Sequence, residues 1–154
     1  MTAGRGQPSG RPDLSSTFAT LRDILAANSN QLIVTADKPG DFQVGSPTQQ
    51  DRIGRPLFVA AVQTRKNYVS YHLMPVYAVP RLAESLSPAL RKRMQGKSCF
   101  NFTTIDAQQA KELSTVTRAG IEAFRDVDLP WAPSDTTRKP HRRAGRATVR
   151  RSAR

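Results

Sequence analysis

Apolar residues recur along this chain at a spacing that is helical at both ends and strand-like between them. The first apolar stripe has helical spacing and consists of Phe18, Leu21, Ile24 and Leu25. Ser15 or Ser16 is the expected N-cap, because a hydroxyl can accept hydrogen bonds from the first free backbone N–H groups. The polar run Asn28–Asn30 is expected to end this helix.

Short strands are predicted next. Leu32–Ala36 is rich in branched residues, which favour strands. Asp37–Asp41 contains adjacent Pro and Gly and predicts a turn. A short strand at Phe42–Val44 follows, and the polar run Gly45–Arg55 is interpreted as a loop.

The clearest strand pair is Pro56–Gln63 with Tyr68–Met74, joined by four residues as a hairpin. Alternation in the second strand places Val69, Tyr71 and Leu73 on one face and Tyr68, Ser70 and His72 on the other. The first strand is apolar on both faces, which predicts a central strand.

A connector with two prolines leads to a short helix at Pro80–Leu86. Ser87 is the expected cap of a second helix, Pro88–Gln95, which Gly96 is expected to end. Lys97–Thr103 is predicted as a strand with Phe100 and Phe102 on one face and Cys99 and Asn101 on the other.

The last helix begins at Asp106, with Gln109 as its capping-box partner. Its inner stripe consists of Ala110, Leu113, Thr117, Gly120, Ile121 and Phe124. The amphipathic helices must bury their stripes, and the sheet face is the available partner. We therefore expect an α+β fold, a mainly antiparallel curved sheet with the N-terminal and C-terminal helices packed on it.

The distribution of charge distinguishes the C-terminal segment from the rest of the chain. It carries 24 Lys and Arg against 12 Asp and Glu, a net charge of +12. Eight basic residues follow Thr137 without an acid among them: Arg138, Lys139, Arg142, Arg143, Arg146, Arg150, Arg151 and Arg154. Because these residues carry most of the excess, the folded body is expected to be only mildly basic.

We accordingly expect a disordered arm at residues 1–13, one domain at 14–128 and a disordered basic tail at 129–154. The single cysteine, Cys99, excludes an intrachain disulfide. The longest apolar run is far shorter than a membrane helix needs, and the N-terminal arm lacks the apolar stretch of a signal peptide. A cytoplasmic protein with no membrane association is the expectation.

Three segments carry a resemblance to a known family: GRPLFVAAV (54–62), KNYVSYHLMPVY (66–77) and SPALRKRMQGKSCFNF (87–102). Their order and spacing resemble the small bacterial YdhG-like proteins, a family of unknown function. The resemblance spans about residues 15–125. It implies a helix before a curved antiparallel sheet and a closing helix, and it implies no catalytic residue.

Tyr68, His72 and Cys99 are the candidates for a pocket on the polar side of the strands. A cysteine–histidine catalytic pair requires the two side chains within hydrogen-bond reach; the alternative is a half-buried strand histidine and a small buried thiol. The chain lacks the ligand spacing of a metal site, so no metal and no cofactor are predicted. An enzyme is therefore the less favoured interpretation.

Positive charge beside Gly96 indicates an anion site formed by Arg91, Arg93, Gly96 and Lys97. The alternative is a solvated helix end, where basic residues are favoured by the dipole. QGKS resembles a nucleotide-binding loop only in part, since the first glycine of that motif is missing.

Two functions stay open. The first is a non-catalytic ligand-binding or interaction module with an unidentified ligand or protein partner. The second is an accessory protein that binds nucleic acid non-specifically through its Arg-rich tail, because such tails bind polyanions by counterion release. A merely solubilising tail is the alternative to the second.

Overall fold

The computed structural model describes residues 13–125. In chain order its elements are α1 (Leu14–Ala27), β1 (Ile33–Lys38), β2 (Asp41–Gln50), β3 (Pro56–Thr64), β4 (Val69–Leu73), α2 (Met74–Ala78), α3 (Pro80–Glu84), α4 (Pro88–Arg91), β5 (Met94–Gln95), β6 (Cys99–Phe102) and α5 (Ala107–Phe124). The six strands form one antiparallel sheet in the order β1-β2-β3-β4-β6-β5. The predicted α+β fold is confirmed. The expected disorder of residues 1–12 and of the basic tail concerns residues outside the described range.

The N-terminal helix begins earlier than predicted. Asp13, which the sequence assigned to the arm, is its N-cap, and its carboxylate accepts hydrogen bonds from the N–H groups of Ser15 at 3.1 Å and Ser16 at 3.3 Å. The prediction of Ser15 or Ser16 as the cap was therefore wrong. A carboxylate serves both N–H groups and also suits the positive end of the helix dipole. Leu21 and Leu25 are fully buried as expected.

The predicted loop Gly45–Arg55 is mostly strand, which corrects the sequence interpretation. β2 continues to Gln50, and only residues 51–55 turn back toward β3. Pro47 is tolerated because β1 pairs with β2 only as far as Gly45, so the missing N–H of this proline interrupts no ladder on that side. The Asp51 carboxylate organises the turn by accepting from the N–H groups of Ile53 and Arg55.

A bulge in β3 places two consecutive residues of this strand in the core. Val44 pairs with Ala60, whereas the next residue, Gly45, pairs with Phe58, so Val59 is the extra residue. Val59 and Ala60 are consequently both buried in the core. The predicted central position of β3, between β2 and β4, is confirmed.

The predicted helix Pro88–Gln95 is one turn long. Ser87 caps it as expected, accepting a hydrogen bond from the Leu90 N–H at 3.2 Å, but α4 ends at Arg91. Met94 and Gln95 instead pair with β6 as the edge strand β5. Gly96, predicted to end the helix, has a φ of +73° in the hairpin turn between β5 and β6. Pairing with the sheet thus outweighs the local helical preference.

The closing helix α5 carries the predicted capping box of Asp106 and Gln109. It contacts α1 and the three short helices α2, α3 and α4, while α1 lies against β3 and β4. The buried residues of α5 include Leu113, Thr117 and Ile121. One face of the sheet is therefore covered by helices, and Tyr68, Ser70 and His72 belong to the other face.

Candidate functional site

The open face of the sheet brings two of the predicted pocket residues together. His72 of β4 and Cys99 of β6 are direct register partners, and two residues along the strands Ser70 is paired with Asn101. Tyr68, the third candidate, precedes β4 and is half-buried. The predicted strand alternation is confirmed, since Val69, Tyr71 and Leu73 are fully buried.

The His72 ring is held in place by two neighbours. Its Nε2 atom lies 2.8 Å from the Ser98 hydroxyl, and the Phe58 ring meets it edge-on with 5.0 Å between ring centres. Burial lowers the pKa of His72 below its ordinary value, which favours the neutral imidazole at neutral pH. Within residues 13–125, no carboxylate hydrogen bonds to this ring. The geometry thus lacks the orienting acid of a catalytic triad.

Cys99 is a half-buried thiol next to hydroxyl groups rather than an activated nucleophile. Burial raises its pKa, and this effect outweighs the lowering by hydrogen bonds with Ser70 and Ser98 and by the charge of Arg65. A thiol with a raised pKa is protonated at neutral pH, whereas nucleophilic attack requires the thiolate. His72 and Cys99 are close together, but their surroundings favour a polar strand pair over catalysis.

The four residues of the predicted anion site lie between the end of α4 and the β5–β6 turn, and the three cations among them have different contacts. Arg91 donates hydrogen bonds to the backbone oxygens of Ala83 at 3.3 Å and Glu84 at 3.2 Å. The Arg93 guanidinium lies 5.9 Å from the Phe102 ring centre, and the Lys97 ammonium lies 5.3 Å from that of Tyr77. Gly96 lies in the adjoining turn. The anion site at these residues stays a prediction.

A cleft of about 390 Å³ lies between β2 and the C-terminal end of α5. Its walls come from the α1–β1 connection, the second half of β2, the β3 bulge and the end of α5. The lining residues are Gln31, Leu32, Ser46, Pro47, Thr48, Gln49, Val59, Ile121, Phe124 and Arg125. The volume is within the range of small-molecule sites.

The β2 wall of this cleft is organised around Ser46. Its hydroxyl oxygen accepts hydrogen bonds from the N–H groups of Thr48 at 3.2 Å and Gln49 at 3.0 Å. The Gln49 side-chain oxygen is buried and has no hydrogen-bond partner among the described residues. Buried polar atoms in folded proteins nearly always have a partner, so this acceptor is an exception among the described residues.

Sequence reasoning missed this cleft. Its β2 wall was interpreted as part of the polar loop Gly45–Arg55. The apolar lining residues Val59, Ile121 and Phe124 belong to a predicted central strand and a predicted helix stripe, where apolar residues indicate only core packing. A signal was present in Ser46, Thr48 and Gln49, which are polar residues in strand-compatible order next to Phe42 and Val44. Local pattern alone does not show what faces them.

No group of three or more His, Cys, Asp or Glu side chains capable of holding a metal occurs in the described part of the chain. Over the same residues, none of the helices combines the length and the apolar character that a membrane span requires. The basic residues predicted to bind polyanions, from Arg138 to Arg154, lie outside the described range.

The fold and the cleft together define the class of this protein: an α+β domain with a cleft of about 390 Å³ between its sheet and its closing helix. No family model, no curated protein and no solved structure matches the chain. The resemblance to the YdhG-like proteins therefore stays a prediction.

Proposed function

We propose that this protein is a non-catalytic module that binds a small, partly apolar molecule in the cleft between β2 and α5. The observation that carries this proposal is the Gln49 side-chain oxygen, buried in the cleft wall without a partner. An unsatisfied buried acceptor costs about 1–3 kcal/mol. Because this oxygen is enclosed, the Gln49 amide must turn toward the cleft to meet a ligand; an N–H or O–H donor on the ligand would then remove that cost and make the energy available for binding.

The lining defines the ligand chemistry. Val59, Ile121 and Phe124 offer an apolar wall, whereas Gln31 and Thr48 add polar groups and Arg125 adds a positive charge. This combination fits a compact molecule with an apolar body, a hydrogen-bond donor and a negatively charged group. Apolar walls with few polar groups are typical of small-ligand sites, where the polar groups fix orientation.

The test is a fragment screen on the full chain by ligand-observed NMR, with aromatic carboxylic acids that carry a hydroxyl or amide donor. Gln49→Met keeps the side-chain length and removes the acceptor, so bound fragments should lose about two- to tenfold in affinity, the equivalent of one lost hydrogen bond of about 0.5–1.5 kcal/mol. The same variant should unfold at an equal or higher urea concentration, because the unsatisfied acceptor is gone.

Gln43→Met is the matched control, since Gln43 is also in β2 but its side-chain nitrogen already donates to the Asp41 carboxylate at 2.9 Å. It should bind fragments as the wild type does. A screen without binders, or binders that Gln49→Met and Gln43→Met affect equally, would refute the proposed site.

A further inference from the structure

Positive charge is concentrated where α2, α3, α4 and the β5–β6 turn meet. The segment from Met74 to Ser98 contains five basic residues against one acidic residue, Glu84, a net charge of +4. We call its basic residues the basic corner; they are Arg81, Arg91, Lys92, Arg93 and Lys97. Part of this set was predicted as an anion site, but Arg81 and Lys92 were not included.

Three contacts join the segments that carry these charges. The Leu73 N–H donates to the Ser98 oxygen at 2.8 Å, which places the start of α2 beside the end of the β5–β6 turn. Lys97 in that turn lies over the Tyr77 ring of α2. The Arg91 guanidinium bridges the end of α4 to the last carbonyls of α3. The short helices and the hairpin turn therefore share a surface that no single segment provides.

The charges of the basic corner are accessible and form no ion pair among residues 13–125, although the Glu112 carboxylate of α5 accepts hydrogen bonds from Ser87 at the start of α4 and lowers the local excess of positive charge. Arg93 is half-buried and the other four residues are exposed. The two ion pairs found among residues 13–125 are Arg22–Asp37 and Arg55–Asp51, both outside the corner. The partners of the Arg91 guanidinium are neutral carbonyls, so its positive charge is not cancelled. Like charges gathered on one surface attract an anionic partner.

We propose that the basic corner is a contact surface for the phosphate backbone of a nucleic acid. Its cations are held by separate partners: Arg91 by the carbonyls of Ala83 and Glu84, Arg93 over the Phe102 ring and Lys97 over the Tyr77 ring. Cations held separately suit an extended row of phosphates better than a single small anion. Contacts of this kind give affinity without sequence preference, because phosphates carry no base information. The site is separate from the cleft, and the proposal does not depend on a small ligand.

The test is fluorescence anisotropy of the full chain with a labelled oligothymidylate across a salt series. Lys92→Gln combined with Lys97→Gln removes two charges from the corner. If both lysines contact phosphates, the slope of log affinity against log salt should become shallower by about 1.4, since each single-strand contact contributes about 0.7. Both side chains are exposed, so the substitutions should leave the fold intact, which circular dichroism checks.

Lys38→Gln combined with Lys66→Gln is the control of equal charge. These lysines lie outside the segment from Met74 to Ser98: Lys38 is in β1, the edge strand at the opposite side of the sheet from β5, and Lys66 is in the β3–β4 turn. The control should change the slope by less than about 0.5, because distant charges release no counterions at the contact. Equal effects of the two double variants would overturn the proposal in favour of non-specific net charge.

The contribution of the tail is separated in a full chain whose eight basic residues after Thr137 are replaced by Gln. The corner variant should still weaken binding in that background. Absence of binding by the wild type, or loss of all binding on tail neutralisation alone, would also overturn the proposal. So would retention on anionic phosphatidylserine vesicles with no binding of oligothymidylate.

Discussion

The hydroxyl of Tyr71, at the centre of β4, lies 2.6 Å from the hydroxyl oxygen of Thr117 on α5, and both residues are fully buried. Thr117 donates its own proton to the Leu113 backbone oxygen at 2.7 Å. Tyr71 must therefore be the donor in the shared hydrogen bond. This relay fixes the closing helix against the middle of the sheet.

The two partners of this relay should respond unequally to substitution. Tyr71→Phe leaves Thr117 bonded to Leu113 and should cost about 0.5–1.5 kcal/mol of unfolding free energy. Thr117→Val leaves the Tyr71 hydroxyl buried without an acceptor and should cost about 1–3 kcal/mol. Urea unfolding of both variants and of the double variant measures the difference. Equal costs with no coupling in the double variant would contradict the relay.

Alkaline pH should destabilise the fold through Tyr71. Burial raises the pKa of this tyrosine, and the hydrogen bond with Thr117 only partly opposes the effect. In the unfolded chain Tyr71 has the ordinary tyrosine pKa of about 10. Above that pH the unfolded chain loses this proton while the folded chain keeps it, so the free energy of unfolding falls as pH rises further. Tyrosinate absorbance from Tyr71 should appear only with unfolding. In Tyr71→Phe that late absorbance change should disappear.

His72 should make the fold weaker in mild acid. Because burial lowers its pKa, the unfolded chain binds a proton before the folded one does. Above about pH 6.5, the ordinary histidine pKa, His72 does not affect the free energy of unfolding; below it, His72 lowers that free energy by at most about 1.4 kcal/mol per pH unit. NMR titration in a His141→Gln background gives the pKa, and His72→Gln should remove this part of the pH dependence. A His72 pKa at or above 6.5 would contradict the assignment.

Substitution of Phe100 tests which face of β6 is buried. It is fully buried opposite Tyr71, whereas its neighbour Asn101 is half-buried on the open face. Phe100→Ala should cost about 3–5 kcal/mol, because it removes a large side chain from a closed core. Asn101→Ala should cost less than about 1 kcal/mol. Chemical denaturation that gives similar losses for both variants would show that the strand faces are misplaced.

Gly45 is the last residue of β2 that pairs with β1, and its position leaves no room for a side chain. A Cβ atom at this position would lie 2.9 Å from the Cβ of Pro56 and 3.2 Å from the Leu57 backbone oxygen. Gly45→Ala should therefore cost about 1–3 kcal/mol, since the contact involves backbone that cannot move freely. The exposed Thr48, on the same strand, provides the comparison, and Thr48→Ala should change stability by less than about 0.5 kcal/mol. A neutral Gly45→Ala would disprove the close approach.

The candidate site could be predicted from the sequence only in part. Strand alternation placed His72 and Cys99 on one face, and antiparallel pairing then made them register partners. The hydroxyl that bonds His72 belongs to Ser98, at the start of β6, and no periodicity indicates that contact. The cleft was missed because its walls come from segments distant in sequence, Ser46–Gln49 and Ile121–Arg125.

By itself the sequence determined the two long helices, the β3–β4 hairpin, the capping box of Asp106 and the buried faces of β4 and β6. These features depend on side-chain period and on local hydrogen bonds, which neighbouring residues specify. Tertiary structure decided the length of β2, the bulge at Val59 and the conversion of Met94–Gln95 from predicted helix to edge strand. Strand pairing satisfies backbone groups across long sequence distances, so a partner strand can extend or redirect a segment whose own residues favour something else.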